Sequence, residues 1–253
     1  MSQAPFNSLI SFIVCLLLFI WIQRGLHKEL QGLFLLITRK PALALGIFSL
    51  LFLPGVFIHE ISHLIMAKIL RVPTGKFSII PQVQKNGVLR LGYVETAKTD
   101  FFRDALIGTA PLLSGLVLVW VIGVYRLGVL PIAQSIFLRN WAQLTTDVAA
   151  IKGTPDFWLW FYTAFAISST MLPSSSDRRG WLPVALVVGG FSALALLAGA
   201  GEWLAKTLAS PLNNGLQTLA LIFAISLGLH VVLIIPSWGL KTIISRATGM
   251  QVV

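Results

Sequence analysis

Residues 41–70 read PALALGIFSLLFLPGVFIHEISHLIMAKIL, and this stretch decides the class of fold. Its first 18 residues carry no charge. As a helix the whole stretch would extend about 45 Å, against a hydrocarbon core of about 30 Å in a bilayer. Pro54 removes one helical hydrogen bond and clashes with the preceding turn, so we expect a kink beside Gly55. The stretch is predicted to be a kinked membrane helix that carries the polar cluster His59-Glu60-Ile61-Ser62-His63.

The composition of the whole chain also indicates membrane helices. Of 253 residues, 56% are hydrophobic and 11% are charged, and the mean hydropathy is +0.85, whereas soluble domains carry about 25% charged residues. This excludes a disordered chain, and the single Cys15 excludes a disulfide framework. The uncharged stretches are too long for the strands of a membrane barrel. They cover 1–23, 41–58, 105–125, 157–176, 180–201 and 207–240.

The sequence therefore predicts an all-α polytopic membrane protein with about six transmembrane helices in a single membrane domain, 1–253. Residues 25–40 are amphipathic, and we expect them to form a helix at the membrane surface. The connection 71–104 is the most polar. Alternating residues at 77–84 and 88–94 flank Asn86-Gly87, a pair that favours a two-residue hairpin turn. We expect a small membrane-associated β-hairpin between the second and third membrane helices, with Pro81 on an edge strand.

The charge of the chain does not indicate a nucleic-acid partner. The formal net charge is +10, from 19 basic and 9 acidic residues. The basic residues lie almost entirely between the apolar stretches, where they orient a chain in the bilayer and meet anionic lipid. The expected surroundings are the lipid bilayer, and no nucleic acid is expected as a partner.

The cluster at 59–63 has the spacing of a metal site. His59 and His63 are four residues apart, so both imidazoles lie on one face of a helix and can bind one metal ion. Glu60 stands next to the first ligand, where it can act as a general base toward a water on the metal. A carboxylate after 18 uncharged residues costs at least about 2.5 kcal/mol at bilayer depth, so Glu60 is expected to face a protein interior or an aqueous cavity.

A catalytic metal needs a third protein ligand and an open position. Asp177 is the favoured residue, because the second and fourth predicted spans run in the same direction. His59 lies 18 residues after Pro41 and Asp177 lies 21 residues after Asp156, so both reach the same face at similar depth. The other candidates are His27, Glu29, Glu95, Asp104 and Glu202.

These residues resemble the site-2 protease family of intramembrane zinc metalloproteases. The resemblance covers about 41–180, the predicted metalloprotease core. It rests on the His-Glu-x-x-His motif and on an Asp that follows a Pro-containing segment after a later membrane helix. Where the family reads Asn-x-x-Pro and Leu-Asp-Gly, this chain has Ser169, Pro173 and Asp177-Arg178. Ala110-Pro111-Leu112-Leu113-Ser114 resembles the family's Gly-Pro-x-x-Asn element with both ends replaced.

The resemblance implies a zinc endopeptidase with His59, His63 and Asp177 as ligands and Glu60 as the catalytic base. The substrate would be a membrane protein or a transmembrane peptide. Two His and one carboxylate also suit non-haem iron, but Glu60 has a role in hydrolysis and none in oxygen chemistry. Two alternatives remain open: a proteolytically inactive binding or scaffold protein of the same fold, and a small ion or proton transporter.

Several further features have two readings each. The hairpin could hold an extended substrate by strand addition or simply rest on the membrane. Arg178 and Arg179 could stabilise an oxyanion, although lipid headgroups or orientation are the favoured roles. His230 could be a proton relay or a gate, although a hydrogen bond between helices is the favoured role.

Six spans would put both termini on one side of the membrane. That side would carry ten basic residues and the other side eight, with Lys68 left out, which hardly discriminates between the two orientations. The family resemblance favours an active site toward the cytoplasmic face and hence cytoplasmic termini.

Overall fold

A computed structural model describes residues 5–83 and 89–250 and shows a mostly helical protein with a small β region. Within the described residues, the helices fall into a long first helix, a bent second helix, and six more after the β strands. They are α1 (Pro5–Thr38), α2 (Pro41–Ile69), α3 (Phe101–Val121), α4 (Val129–Phe137), α5 (Trp141–Lys152), α6 (Phe157–Thr170), α7 (Trp181–Leu197) and α8 (Gly201–Thr248). A π-helical turn, Ile122–Arg126, extends α3.

The bend predicted in α2 is confirmed. Segments Pro41–Leu51 and Leu53–Ile69 meet at 66°. The break lies just before Pro54, which has no N–H to donate and whose ring crowds the carbonyl four residues earlier. The hydroxyl of Tyr162 in α6 donates to the carbonyl of Leu51 at 3.0 Å, so a neighbouring helix satisfies a backbone group at the break.

The two longest helices, α1 and α8, lie side by side and run in the same direction. Ser8 donates to Asn213 at 2.6 Å, the Phe19 and His230 rings stand 5.1 Å apart, and Lys241 meets Glu29 at 3.4 Å. Because the partner's number rises with each contact along α1, the pair is parallel.

Helix α3 runs opposite to α6. Gly115 packs against Met171 at the end of α6, while Arg126 lies 4.8 Å from the Trp160 ring near the start of α6. Helix α8 also runs opposite to α3: Ile225 meets Gly123, just after α3, and the later His230 meets Ser169 at the end of α6. We call the end of the bundle where α1, α6 and α8 finish and α3 begins the Asp177 end. The opposite end is the Asp156 end.

Small residues allow α2 and α6 to pack closely behind the bend. A Cβ on Gly55 would stand 2.0 Å from the carbonyl oxygen of Ala166. Phe52 of α2 and Phe165 of α6 pack beside this contact with ring centroids 5.5 Å apart. The two helices therefore touch through backbone at Gly55, one residue after the proline.

The predicted hairpin between α2 and α3 is present. Strand β1 (Thr74–Ser78) pairs antiparallel with β4 (Tyr93–Thr96), and β2 (Gln82–Val83) pairs antiparallel with β3 (Leu89–Arg90). The two ladders are separated around Pro81, which cannot donate to a ladder. The predicted Asn86-Gly87 turn lies outside the described residues.

The prediction of apolar helices long enough to span a membrane is confirmed, but six spans are not clearly present in the described residues. By length and composition, α1, α8 and α3 with its π turn can cross a membrane, and the bent α2 makes at most a fourth span. The other two predicted spans, α6 and α7, have 14 and 17 residues, about 21 and 26 Å at 1.5 Å per residue.

The predicted surface helix at 25–40 was wrong as a separate element. These residues continue α1 without a break as far as Thr38. Leu26, Leu30, Leu33 and Leu36 are buried in the protein, whereas Ile37 is exposed. Phe48 and Phe52 of α2 lie in the same cluster as Leu26 and Leu30. Most of the apolar side of this segment therefore packs against other helices.

The contact at Gly55 gives a stability prediction. We expect Gly55→Ala to lower the free energy of unfolding by about 1–3 kcal/mol, the usual cost of overpacking, because backbone blocks the added methyl group. Gly189→Ala in α7 is the control: nothing lies within 4 Å of its Cβ, and alanine favours a helix. Thermal unfolding in detergent measures both variants, and equal midpoints would contradict the prediction.

Candidate metal centre

The three predicted metal ligands lie together in the structure. His59 and His63 project from α2 beyond its bend, and Asp177 lies in the segment that joins α6 to α7. The two Nε2 atoms are 3.2 Å apart. Asp177 Oδ2 is 3.6 Å from His59 Nε2, and Asp177 Oδ1 is 3.4 Å from His63 Nε2. These are the atoms of a possible metal-binding triad.

The possible donor atoms are close enough to share one metal ion. Bonds of about 2.0–2.1 Å to a tetrahedral zinc ion place its ligand atoms about 3.3 Å apart, and the two Nε2 atoms stand 3.2 Å apart. The contacts of Asp177 with the two imidazoles use different carboxylate oxygens. One ligand atom from each of the three residues lies within 4.8 Å of the other two.

Backbone carbonyls fix the orientation of both imidazoles. His59 Nδ1 lies 2.7 Å from the carbonyl oxygen of Thr170, and His63 Nδ1 lies 2.8 Å from that of Ile107. A carbonyl can only accept, so both Nδ1 atoms donate and each neutral ring keeps its lone pair on Nε2. Two lone pairs and a carboxylate then point at one another, an arrangement that a cation at their centre stabilises.

The segment that carries Asp177 is folded back on itself and pressed against α3. The Ser174 N–H donates to Asp177 Oδ2 at 2.7 Å. A Cβ on Gly108 would collide with the Asp177 carbonyl oxygen, and one on Gly180 would stand 2.5 Å from the Ala105 nitrogen. Backbone contacts with α3 therefore hold the segment of Asp177 in place.

The triad and Glu60 line one cavity of about 760 Å³, within the range of small-ligand pockets. Glu60 is only 7% exposed. Its side chain packs against the hairpin at Gly92, where an added Cβ would stand 2.9 Å from Glu60 Cγ. Charged residues also line the cavity: Arg90, Glu95, Asp104 and Arg179.

The other candidates from the sequence are placed elsewhere or differently. His27 packs against Phe48 and Phe52, and Glu29 pairs with Lys241. Glu202 forms an exposed pair with Lys206 at 2.7 Å. Asp104 and Glu95 line the same cavity as the triad but are not part of it.

The two arginines after Asp177 and the buried His230 have distinct surroundings. Arg179 lines the cavity, whereas Arg178 donates to the Ser174 carbonyl at 3.3 Å. The helix-to-helix hydrogen bond predicted for His230 is confirmed, because its Nε2 lies 2.9 Å from the Ser169 hydroxyl.

The groups that hold the ligands in place were not predicted from the sequence. They include the carbonyls of Thr170 and Ile107, the Ser174 amide, and the glycines at 92 and 108. Backbone groups have no signature in a single sequence, and the position of Gly108 opposite Asp177 emerges only from tertiary structure.

The chain matches no protein-family model, no curated protein and no solved structure in the comparisons made. The function must therefore be inferred from the geometry of the site and from the motif resemblance. Two imidazole nitrogens, one carboxylate and a neighbouring buried carboxylate can hold a metal ion and handle a proton beside it.

Substitution of two carboxylates in the cavity, one inside and one outside the triad, tests whether Asp177 is a metal ligand. We expect Asp177→Asn to weaken metal binding by at least about tenfold, because changes outside the ligand shell alone cost 10–100-fold. Asp104→Asn removes a carboxylate of the same cavity outside the triad and should leave the affinity within threefold of wild type. Competition with a chelator measures both variants, and equal losses would contradict the assignment of Asp177.

Proposed function

We propose that this protein is an intramembrane zinc metalloprotease that hydrolyses a peptide bond in or beside a transmembrane segment of a membrane protein. One observation carries the proposal: possible ligand atoms of His59, His63 and Asp177 lie within 4.8 Å of one another in the cavity that Glu60 also lines. Zinc is favoured over iron by the adjacent carboxylate, which has a role in hydrolysis.

Each residue of the site has a definite part in this reaction. Zinc held by the triad would supply Lewis acidity toward a water molecule and the scissile carbonyl. Glu60 accepts a proton from the attacking water and passes it to the leaving nitrogen. Its burial against Gly92 holds the carboxylate at the cavity wall, away from competing bulk water.

The hairpin gives the cavity a place for an extended substrate. Within the described residues, β4 pairs only with β1, which leaves its second edge without a ladder partner. Three residues of β4, Val94, Glu95 and Thr96, line the cavity. A locally unwound segment added along this edge would present its backbone to the triad, because strand addition holds a peptide through main-chain hydrogen bonds.

The helix directions favour five membrane crossings, by α1, α3, α6, α7 and α8. Helix α2 would enter and leave the membrane on one side. Parallel α1 and α8 would enter from the same side, so the termini would lie on opposite sides. Helix α2 follows the end of α1 and precedes the start of α3, and both of these points lie at the Asp177 end. Its 66° bend is then that of a helix that dips into the bilayer and returns.

The charge distribution supports this arrangement and orients it. By these directions, 14 of the basic residues that the structure describes lie at the Asp177 end, in 24–40, 68–83, 90–103, 178–179 and 241–246. Four lie at the Asp156 end: Arg126, Arg139, Lys152 and Lys206. This asymmetry follows the positive-inside rule with the Asp177 end in the cytoplasm, whereas the six-span count of ten to eight hardly discriminates.

Labelling of single cysteines tests the arrangement. In a background that lacks Cys15, we expect Lys40→Cys and Lys98→Cys, on either side of α2, to resist an impermeant maleimide in intact cells. Lys206→Cys should react, because it lies at the opposite end. All three lysines are exposed. Reaction of the Lys40 and Lys98 positions from opposite sides of the membrane would contradict a returning α2.

Glu60→Gln tests the catalytic proposal. The amide keeps the shape of the side chain but cannot accept the proton, so we expect bound zinc at wild-type stoichiometry and cleavage reduced by about 10²–10⁴-fold. The assay uses purified enzyme and a panel of transmembrane peptides. Glu95→Gln, at an exposed carboxylate on the cavity wall, is the control.

The outcomes of this experiment separate the alternatives. Unchanged cleavage in Glu60→Gln would contradict its role as the base. Stoichiometric zinc without cleavage of any peptide by the wild-type protein would favour a binding protein. A wild-type protein that binds no zinc would leave a transporter as the better explanation.

A further inference from the structure

A proline lies inside α3, three residues after Gly108. Pro111 is within the helix Phe101–Val121 and is almost fully buried. In an α-helix the N–H of each residue bonds to the carbonyl four residues earlier. Pro111 has no N–H, and its ring crowds the carbonyl of Ile107 and tilts it away from the helix axis. The Ile107 carbonyl is therefore left without its normal helical donor.

That freed carbonyl is the one to which His63 donates. His63 Nδ1 lies 2.8 Å from the Ile107 oxygen, and Ile107 is only 5% exposed. A buried carbonyl without a partner is costly. The imidazole satisfies it, and in return the carbonyl fixes which nitrogen of His63 carries the proton.

The end of α6 also has carbonyls that lack a helical donor and accept from side chains instead. The carbonyl of Ser169 would accept from residue 173, which is also a proline, and the Gln23 side chain donates to it instead at 2.7 Å. The next carbonyl, that of Thr170, accepts from His59 at 2.7 Å. Its helical donor would be the Ser174 N–H, which instead bonds Asp177. Both ligand imidazoles are thus oriented by carbonyls released from a helix.

We propose that Pro111 is a positioning residue of the metal centre, which acts by keeping the Ile107 carbonyl free for His63. This inference rests on the proposed metal centre. A residue with an N–H at position 111 would compete for the carbonyl and return it toward the helix axis. His63 would then lose the partner that holds its lone pair on Nε2, and metal affinity would fall although all three ligands remain.

Two substitutions separate the effect on the His63–Ile107 hydrogen bond from the effect on packing around residue 111. Pro111→Ala and Pro111→Val both restore the backbone N–H. Alanine leaves part of the volume of the proline ring empty, whereas valine fills it. Pro236→Ala is the control, because it makes the same change in the interior of α8, at an exposed position. Zinc affinity of the full chain in detergent is measured by competition with a chelator, and unfolding of the metal-free protein is measured by heating.

We expect both Pro111 variants to lose zinc affinity by 10–100-fold, the usual effect of a lost partner of a metal-bound histidine. Their metal-free unfolding midpoints should not fall in proportion, because an added N–H favours the helix. Pro236→Ala should bind zinc as wild type does. Affinity within twofold of wild type in both Pro111 variants would overturn the inference, as would a loss confined to the alanine variant. A wild-type protein without zinc affinity would instead refute the metal centre itself.

Discussion

The structure depends on one constraint: two imidazole nitrogens and a carboxylate converge in one largely buried site. The Nε2 atoms of His59 and His63 stand 3.2 Å apart, and because both Nδ1 atoms bond to carbonyls, the neutral rings carry their lone pairs on Nε2. In a site shielded from water this arrangement is unfavourable without a positive charge between them. The bent α2, the folded segment of Asp177 and the start of α3 all serve to hold these three side chains in place.

The helices supply this support through places where their own hydrogen bonding is interrupted. A regular helix in a membrane satisfies all of its interior backbone groups. Here Pro54, Pro111 and Pro173 each remove one donor, and Tyr162, His63 and Gln23 bond to carbonyls at those interruptions. At each of these three places, a side chain from another helix bonds to backbone. The glycines at 55, 92 and 108 let backbone approach closely at the same places.

Much of this arrangement could be predicted from the sequence, because the signals are local. The spacing of His59 and His63, the kink at Pro54 and the hairpin before α3 each follow from a few neighbouring residues. The pairing with Asp177 followed from a parity argument that needs only the relative direction of the α2 and α6 segments near the site. That direction holds in the structure, because Phe52 meets Phe165 and His59 meets Thr170.

What could not be predicted depended on long-range packing. The amphipathic pattern alone separated 25–40 from α1, which the structure shows as one helix. The parallel contacts of α1 with α8, such as Ser8 with Asn213, join residues about 200 positions apart and have no signature in a single sequence. The same is true of the Ile107 carbonyl, which becomes an acceptor for His63 only when α2 crosses α3. The directions of the helices also decide which basic residues are counted on each side of the membrane.

X-ray absorption at the zinc edge of the purified protein tests the central claim most directly. The account predicts one zinc ion per chain with four nitrogen or oxygen ligands at about 2.0–2.1 Å, two of which show imidazole scattering. Absence of zinc, a six-coordinate ion, or a spectrum without two imidazoles would contradict it.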